Sequence, residues 1–174
     1  MSTDSIRIAF ERAAKSVALR PSRGLATRVS RTRLRHGLSC EVEEGAWKVI
    51  TDMPAAIGGE GSAPTPGVFG RAAFGSCLAV CYALYAAKLG VPITSLEVEV
   101  EADYDDGALL GVSDSPAGYF DVRYTVIVES PAPEADVRRV IDEGDAHSPY
   151  LDVFSRAQPC RRTVRIVSPS AHEV

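Results

Sequence analysis

The sequence lacks the features that mark secreted, membrane-spanning and metal-binding proteins. Four cysteines and three histidines occur among 174 residues, but there is no Cys-x-x-Cys pair and no spacing typical of a metal site. The first residues have neither the apolar core nor the small-residue cleavage site of a signal peptide. Since structural disulfides persist mainly in oxidising compartments, we expect reduced thiols in a cytoplasmic protein that holds no metal and no cofactor.

Long hydrophobic runs are equally scarce. The longest extends from Ala72 to Ala87, is rich in Ala and Gly, and is shorter than the roughly 20 residues that a bilayer requires. A hydrophobic fraction of 45% and a charged fraction of 24% are ordinary for a globular protein. The chain is long enough for one domain with its own core, and no linker or internal repeat divides it. We therefore predict a single domain over residues 1–174, with residues 1–22 as a helical N-terminal arm.

Acidic residues are scarce only near the N-terminus. Nine of the eleven charged residues before Gly37 are Arg or Lys, whereas the whole chain has a net charge of −4. Apolar residues recur at helical spacing from Ile6 to Val17, which predicts an amphipathic helix that docks on the rest of the protein. A basic arm could contact nucleic acid or an acidic membrane. Packing against the acidic remainder of the same or a partner subunit is commoner, so we expect neither nucleic acid nor membrane as a partner.

Strands and helices are segregated along the chain rather than regularly alternating. Three short strands, a long helix, two strictly alternating strands, two helices and a closing strand are predicted after the arm. This order is typical of an α+β fold and argues against a doubly wound sheet. The predicted strands are Leu25–Leu34, Leu38–Glu43, Trp47–Thr51, Leu96–Tyr104, Tyr119–Glu129 and Arg161–Val167, and the predicted helices are Pro66–Leu89, Pro133–Asp145 and Ser148–Phe154.

The long helix is the most informative segment. Thr65 is a good N-cap and Gly90 ends the helix. Between these limits apolar residues fall on every face, which predicts a helix enclosed by protein. Cys77 and Cys81 lie near its middle, where neighbouring groups can set the pKa of a thiol. The preceding loop, residues 52–63, is rich in Gly and Pro and is predicted to be a flexible wall or lid of a site.

Four features occur along the chain in a characteristic order and spacing. They are Pro66 followed by Ala73-Phe74-Gly75-Ser76-Cys77 on the long helix, the turn Gly90-Val91-Pro92-Ile93, the strand pair around Gly118, and a helix followed by Ser148-Pro149 and a terminal strand. Together, from Thr27 to Val167, they resemble the OsmC/Ohr family of osmotically induced protein C and the organic hydroperoxide resistance proteins. The resemblance implies an α+β fold in which a curved antiparallel sheet wraps around a long central helix, in an intertwined homodimer.

The resemblance also implies a thiol reaction at Cys77. In the family, a cysteine at this helix position attacks an organic hydroperoxide and becomes a sulfenic acid, and a second cysteine in a Cys-Pro pair then forms a disulfide with it. Ser148 occupies the position of that second cysteine, and Gly67 occupies the position of a glutamate that orients an arginine beside the thiol. Ser148 cannot form the disulfide, but its hydroxyl can donate or accept a hydrogen bond in the pocket.

The arginine beside the thiol is expected to come from the early strands. Arg31 is our candidate, with Arg28 and Arg33 as alternatives that one sequence does not distinguish. A cation at this place would stabilise the thiolate. The candidate catalytic residues are therefore Cys77, Ser148 and Arg31.

The other thiols are assigned mainly to packing. Residues four apart on a helix hold their Cβ atoms about 5–6 Å apart, beyond the roughly 3.5–4.5 Å of a disulfide. Cys81 is therefore expected to pack rather than to bond to Cys77. Cys160 can replace the second cysteine only if the fold brings it to Cys77, and Cys40 is expected to be an ordinary strand residue.

Two further side chains each allow two interpretations. His147 could act as a base or a pH switch, although a solvated helix cap is the commoner role. Arg71 could pair with a carboxylate across a dimer or reach the thiol, and the pairing is favoured.

These observations favour an OsmC-like thiol-dependent peroxidase that reduces organic hydroperoxides through Cys77, with an external small thiol as reductant. The alternative is a catalytically silent dimer that binds a hydrophobic small molecule, since Gly67 and Ser148 both remove polar or reactive groups from the site. A protein that interacts through its basic arm is a third possibility. The expected partners are a second copy of the chain, an organic hydroperoxide or hydrophobic small molecule, and a small-thiol reductant.

Overall fold

The computed structural model describes residues 3–168, and these residues form five α-helices and five β-strands. The predicted domain and the predicted arm both start at residue 1, and the domain ends at residue 174. These limits lie outside the described residues. Antiparallel strands and helices are segregated along the chain, so the fold class is α+β, as predicted. In chain order the elements are α1 (Thr3–Leu19), β1 (Arg31–Leu34), β2 (Cys40–Glu44), β3 (Trp47–Thr51), α2 (Pro66–Leu89), β4 (Ser95–Asp103), α3 (Asp106–Leu110), β5 (Asp121–Glu129), α4 (Glu134–Ala146) and α5 (Pro149–Ser155), with short 3-10 turns at Pro21–Gly24 and Ala55–Ile57.

The central helix α2 begins and ends where its capping pattern predicts. The Thr65 hydroxyl accepts a hydrogen bond from the Val68 amide at 3.4 Å. Gly90 follows the helix in the left-handed region at φ 69°, a conformation that glycine adopts without steric cost. Both limits of α2 are therefore explained by residues next to them in the sequence.

The five strands of the described chain form two separate antiparallel sheets. β1, β2 and β3 form a meander, and β4 pairs along its length with β5, so that Val98 lies opposite Val126. The apolar side chains of this strand pair lie against α2, whereas Glu97, Glu99 and Glu101 are exposed. The alternating pattern thus gives the two-stranded sheet one core-facing and one acidic, solvated face, as predicted.

The core is built around α2, which contacts α1, α4, α5 and β4. Phe10 of α1 meets Tyr85 edge to face, with ring centroids 5.7 Å apart, so the N-terminal helix docks on the core. Among the described helices, α2 alone is long and apolar enough to span a membrane by length and composition. Its packing within the chain identifies it as a core helix. The buried apolar cluster consists of Phe74, Leu78, Tyr82, Tyr85, Ala86, Val91 and Val140.

One face of α2 is exposed in the single chain, contrary to the predicted burial on every side. We call it the open face, and Val80 within it is 57% exposed. The residues on this face are apolar or small, so their exposure does not follow from their chemistry. The open face comprises Val68, Ala72, Ser76, Val80 and Ala83.

Two predicted strands differ from the observed backbone. β1 does not begin at Leu25, because Arg31 already pairs with Glu43 near the end of β2 and residues 25–30 have no strand opposite them. The closing strand predicted at Arg161–Val167 is wrong for the described chain, where this segment has no regular structure. An alternating apolar pattern produces a strand only where an unpaired strand edge lies within reach, since the backbone groups need ladder partners.

The loop before α2 is organised around one buried carboxylate. Asp52 is 1% exposed. Its carboxylate accepts hydrogen bonds from the backbone amides of Met53, Glu60 and Ser62 at 2.7, 3.2 and 2.9 Å, and from the Ser62 hydroxyl at 2.9 Å. These bonds, that of the Ser62 amide first, lower the pKa of Asp52 below its ordinary value. The loop is therefore tied into a defined turn, in contrast to the flexible segment that its composition predicts.

Candidate thiol site

Cys77 lies in the middle of α2, beside the N-terminus of α5. Its Sγ is 3.6 Å from the Oγ of Ser148, which is 3% exposed. Ser148 is the N-cap of α5, and its Oγ accepts the Leu151 amide proton at 3.3 Å. A hydroxyl has one proton and two acceptor lone pairs, so with the Leu151 amide on one lone pair it can still donate to the sulfur of Cys77 or accept from its thiol. Two of the three candidate residues, 71 positions apart in the sequence, are therefore in direct contact.

Cys81 lies one turn further along α2 and is buried. Its thiol donates a long hydrogen bond of 3.9 Å to the backbone oxygen of His147. Burial is the main cause that raises the pKa of Cys81, and the neighbouring Cys77 adds to it. The thiol therefore stays protonated at neutral pH, which fits a packing role. All four cysteines lie within residues 3–168 and are free, with Cys40 on β2 and Cys160 exposed after α5.

A shared carboxylate anchors the turn that carries Ser148. Asp145, near the end of α4, accepts hydrogen bonds from the Tyr82 hydroxyl at 2.6 Å and the Tyr124 hydroxyl at 3.0 Å. Burial first, and then the carboxylate, raise the pKa of both tyrosines, that of Tyr124 to about 12. Gly144 permits the close approach of Tyr82, since a Cβ there would lie 2.4 Å from the ring. The Asp145 carboxylate thereby joins α4 to α2 and β5 just before Ser148.

Sequence reasoning did not identify this network. Its signal in the sequence was the pair of tyrosine hydroxyls, because Tyr82 lies on an apolar helix and Tyr124 on the core-facing side of an alternating strand. A buried hydroxyl needs a hydrogen-bond partner. The identity of that partner depends on how α4 packs against α2, which no local pattern reveals.

His147 follows α4 at its C-cap. Its Nδ1 lies 2.8 Å from the backbone oxygen of Glu143, and its ring stacks on Tyr85 with centroids 4.9 Å apart. The side chain is exposed, which agrees with the helix-cap interpretation. Within residues 3–168, no group of three or more His, Cys, Asp or Glu side chains could hold a metal ion.

Four aromatic rings extend from the thiol site toward the start of α2. Phe74, one turn before Cys77, stacks on Phe154 with centroids 4.7 Å apart and meets Tyr124 edge to face at 5.6 Å. Phe154 in turn stacks on Tyr119 at 6.2 Å. We call Phe74, Tyr119, Tyr124 and Phe154 the aromatic cluster. Phe74 is 1% exposed and belongs to the core, whereas Tyr119, Tyr124 and Phe154 are half-buried, so the cluster joins the core beside the thiol to partly exposed rings.

The candidate arginines of the early strands lie apart from Cys77 in this chain. Arg31 is exposed on β1 opposite Glu43, and Arg33 forms an ion pair with Glu43 at 2.7 Å. Arg28 is exposed in the segment before β1. Inside the described chain, none of these arginines forms a hydrogen bond or ion pair with Cys77. The role assigned to Arg31 therefore stays a prediction.

Comparison with known proteins adds to this geometry. Residues 59–161, more than half of the chain, match the family model of OsmC-like proteins. The chain belongs to the OsmC-like family. The fold of this OsmC-like protein is similar to that of the OsmC-like protein from Mycoplasma pneumoniae, with a TM-score of 0.63 and 15% identity over 75% of this chain and 88% of that one.

A second solved structure supports the same fold. An organic hydroperoxide resistance protein OsmC from Legionella pneumophila gives a TM-score of 0.54 and 17% identity, over 75% of this chain and 90% of that one. At such identities the similarity establishes the fold alone. Among curated proteins, none matches the sequence.

The start of α2 in this OsmC-like protein carries a cation where the family resemblance predicts an anion. The resemblance places Gly67 at the glutamate position. The Arg71 guanidinium lies over Gly67, so that a Cβ there would be 3.5 Å from Nη1. Nη1 donates a hydrogen bond to the Tyr119 hydroxyl at 3.3 Å. Arg71 forms no ion pair with any residue from 3 to 168, so the pairing across a dimer stays a prediction.

Proposed function

We propose that the protein is a thiol-dependent peroxidase that reduces organic hydroperoxides through Cys77. The observation that carries the proposal is the 3.6 Å contact between the Cys77 Sγ and the Ser148 Oγ. The thiolate is the nucleophile in such chemistry, and a hydroxyl with an available proton can stabilise it by a hydrogen bond. Membership of the OsmC-like family adds support, since one protein of similar fold is an organic hydroperoxide resistance protein.

In the first step, the Cys77 thiolate attacks the terminal oxygen of the hydroperoxide. A sulfur–oxygen bond forms and the oxygen–oxygen bond breaks, so the sulfur is oxidised by two electrons and the peroxide is reduced. The alkoxide that leaves takes a proton and departs as an alcohol. Cys77 becomes a sulfenic acid. Ser148 acts here as a hydrogen-bond donor to the sulfur.

In the second step, an external small thiol takes the part of the second cysteine. Its sulfur attacks the sulfenic sulfur of Cys77, a mixed disulfide forms and water leaves. A further thiol then attacks the mixed disulfide, which returns the Cys77 thiol and releases a small-molecule disulfide. Cys81 is not used in this cycle, since its thiol is protonated and its helical spacing from Cys77 disfavours a bond.

We also propose that two copies of the chain form the intertwined homodimer, with a curved sheet wrapped around the central helices. The open face of α2 supports this, and so does the meander, where Trp47 is 80% exposed and Val49 and Ile50 are also exposed. Apolar surface of this extent marks an interaction site. In this arrangement, Arg31 of the second copy supplies the cation beside Cys77, because the meander of each chain is free to reach its partner.

The second candidate function is a catalytically silent dimer that binds a hydrophobic small molecule. The aromatic cluster favours it, since stacked rings bind apolar ligands whether or not a thiol reacts. The substitution of Ser148 and Gly67 for reactive or charged residues favours it as well. The two candidates differ in one observable property, the reactivity of Cys77.

Intact mass measurement after brief exposure to cumene hydroperoxide tests the peroxidase proposal. With hydroperoxide in excess over a limiting amount of small thiol, so that Cys77 is not returned to the free thiol, we expect a sulfenic acid or mixed-disulfide adduct that forms quickly and is absent from Cys77→Ser. The matched control is Cys160→Ser, which removes an exposed thiol and should keep the adduct. If the native protein forms no adduct while an alkylating reagent still modifies Cys77, the peroxidase is excluded and the binding function is preferred.

A further inference from the structure

Arg71 carries a charge in the first half of the largely apolar helix α2, and no carboxylate among residues 3–168 neutralises it. The side chain is half-buried. A guanidinium has five N–H donors in a planar fork, and the hydrogen-bond partner of this one within the described chain is the Tyr119 hydroxyl, 3.3 Å from Nη1. A charge partly withdrawn from water is stabilised by a complementary acceptor. Most of the donor positions of Arg71 are therefore available to a ligand.

Tyr119 fixes the position of this guanidinium. Its hydroxyl donates its proton to the backbone oxygen of Gly67 at 3.2 Å, so its oxygen is left to accept the bond from Arg71. The arginine is thus held over the first turns of α2 by a neutral group. A neutral partner orients the cation without cancelling its charge.

Two glycines leave this polar pair uncovered. A Cβ on Gly67 would lie 3.5 Å from the Arg71 Nη1, and one on Gly70 would lie 3.6 Å from the Tyr119 hydroxyl oxygen. These are ordinary van der Waals distances, so alanine would fit at either position. Glycine inside a helix costs about 0.5–1 kcal/mol relative to alanine. Packing within the chain does not require glycine at these two positions. Glycine does leave the guanidinium and the hydroxyl accessible, and this access explains why the cost in helix stability is tolerated.

An apolar surface begins directly beside the polar pair. The Tyr119 ring stacks on Phe154 and meets Tyr104 edge to face, in both cases with centroids 6.2 Å apart. Phe154 in turn packs on the buried ring of Phe74, one turn before Cys77. A fixed cation at one end and flat apolar rings at the other match a molecule with an acidic head and a flat or aromatic body.

We propose that Arg71, held in place by Tyr119, binds the carboxylate of a small amphipathic acid whose apolar part lies on the Tyr119 and Phe154 rings. A carboxylate can accept two parallel hydrogen bonds from one guanidinium, which fixes both its position and its orientation. This carboxylate site rests on the proposed function in one respect: the acid is the hydroperoxide substrate, or the small molecule, that binds at the thiol site. The carboxylate would then direct the remainder of the ligand toward Cys77.

A matched pair of probes tests the site without any reaction at the thiol. Binding of 2-naphthoate and of its neutral analogue 2-naphthalenemethanol is measured by calorimetry on the full Cys77→Ser chain. We expect naphthoate to bind more tightly, and Arg71→Gln to weaken it about tenfold, as the loss of a charge-assisted hydrogen bond predicts. The neutral analogue should bind almost equally to both proteins. Arg12→Gln, at an exposed arginine of α1, is the control and should change neither affinity.

Gly67→Ala separates binding from structure. It should raise the urea midpoint of unfolding, because alanine favours the helix, and should still weaken naphthoate binding, because the added Cβ would lie 3.5 Å from the Arg71 Nη1 and cover it. Equal affinity of the two probes, absence of binding by both, or an Arg71→Gln protein that binds naphthoate normally would each overturn the proposal. So would an Arg71→Gln protein whose only change is weaker self-association, since Arg71 would then pair with a carboxylate of the second copy. The separate cumene hydroperoxide experiment shows whether the proposed peroxidase function fails. Its result does not depend on whether naphthoate binds.

Discussion

The family resemblance places Ser148 at the position of a second thiol, which serine does not supply. Its Oγ lies 3.6 Å from the Cys77 Sγ, a contact that a sulfur in its place would preserve. We predict that Ser148→Cys, treated with cumene hydroperoxide, forms an internal disulfide with Cys77 and that small-thiol adducts disappear. Intact mass and peptide mapping identify the bond. The paired variant Cys77→Ser with Ser148→Cys should form none, and persistence of the small-thiol adduct in Ser148→Cys alone would contradict the proximity.

Tyr82 and Tyr124 should make the protein sensitive to alkaline pH. Their pKa values are raised by burial and by Asp145, that of Tyr124 from 10.0 to about 12. Because the pKa of Tyr124 is raised in the folded state, its protonated hydroxyl makes its full contribution to stability below pH 10.0. That contribution is lost as the pH rises toward about 12. We predict a fall in the free energy of unfolding over this interval, measured by urea titration.

The variants that check this prediction differ in one hydroxyl. Tyr124→Phe should reduce the alkaline fall, because the group that titrates is gone. Tyr150→Phe, at an exposed tyrosine of α5, should leave the fall unchanged. A Tyr124→Phe protein with an unaltered pH profile would show that the hydrogen bond of Tyr124 to Asp145 does not control stability in this range.

Among the elements, the loop before α2 depends most on a single side chain. Asp52 accepts three backbone amides and one hydroxyl, and Asp52→Asn replaces one of its acceptor oxygens by a donor. We predict a loss of about 1–3 kcal/mol in the free energy of unfolding, because at least one of these amide donors loses its acceptor beside a buried side chain. Limited proteolysis should also cut the loop faster.

The pH dependence of this loop has the opposite sign to that of the tyrosines. The pKa of Asp52 is lowered, so its contribution to stability is present above its ordinary value of 3.8 and is lost as the pH falls through the lower folded-state pKa. Glu60→Gln is the control, since the Glu60 amide still reaches Asp52 and its own side chain is exposed. Equal proteolysis rates in native protein and Asp52→Asn would mean that other contacts hold the loop.

The elements also differ in how well the sequence predicts them. The limits of α2 and the pairing of β4 with β5 follow from caps and alternation, because these signals depend on adjacent residues. The first and last predicted strands also need the edge of a neighbouring strand, whose backbone groups pair with theirs. β2 is too short to pair with residues 25–30. Arg161–Val167 carries a strand pattern without a strand opposite it in the described chain.

For the whole molecule, the open face of α2 makes the strongest prediction. We expect sedimentation equilibrium to give twice the chain mass of 18.6 kDa. Val80→Lys should shift the mass toward that of one chain, because a charge would be buried where apolar side chains meet. Val112→Lys, at an exposed loop position, should leave the mass unchanged. A monomeric native protein would remove the support for Arg31 of a second copy beside Cys77.

Local patterns in the sequence were sufficient for the fold class, the central helix and the position of Cys77 on it. Capping, alternation and helical periodicity report on residues within a few positions of one another, and they hold wherever the elements pack. The contact of Ser148 with Cys77, the carboxylate shared by Tyr82 and Tyr124, and the guanidinium over Gly67 join residues far apart in the chain. Their geometry depends on how α4, α5 and β5 pack against α2, and packing is a property of all the buried surfaces together rather than of any one segment.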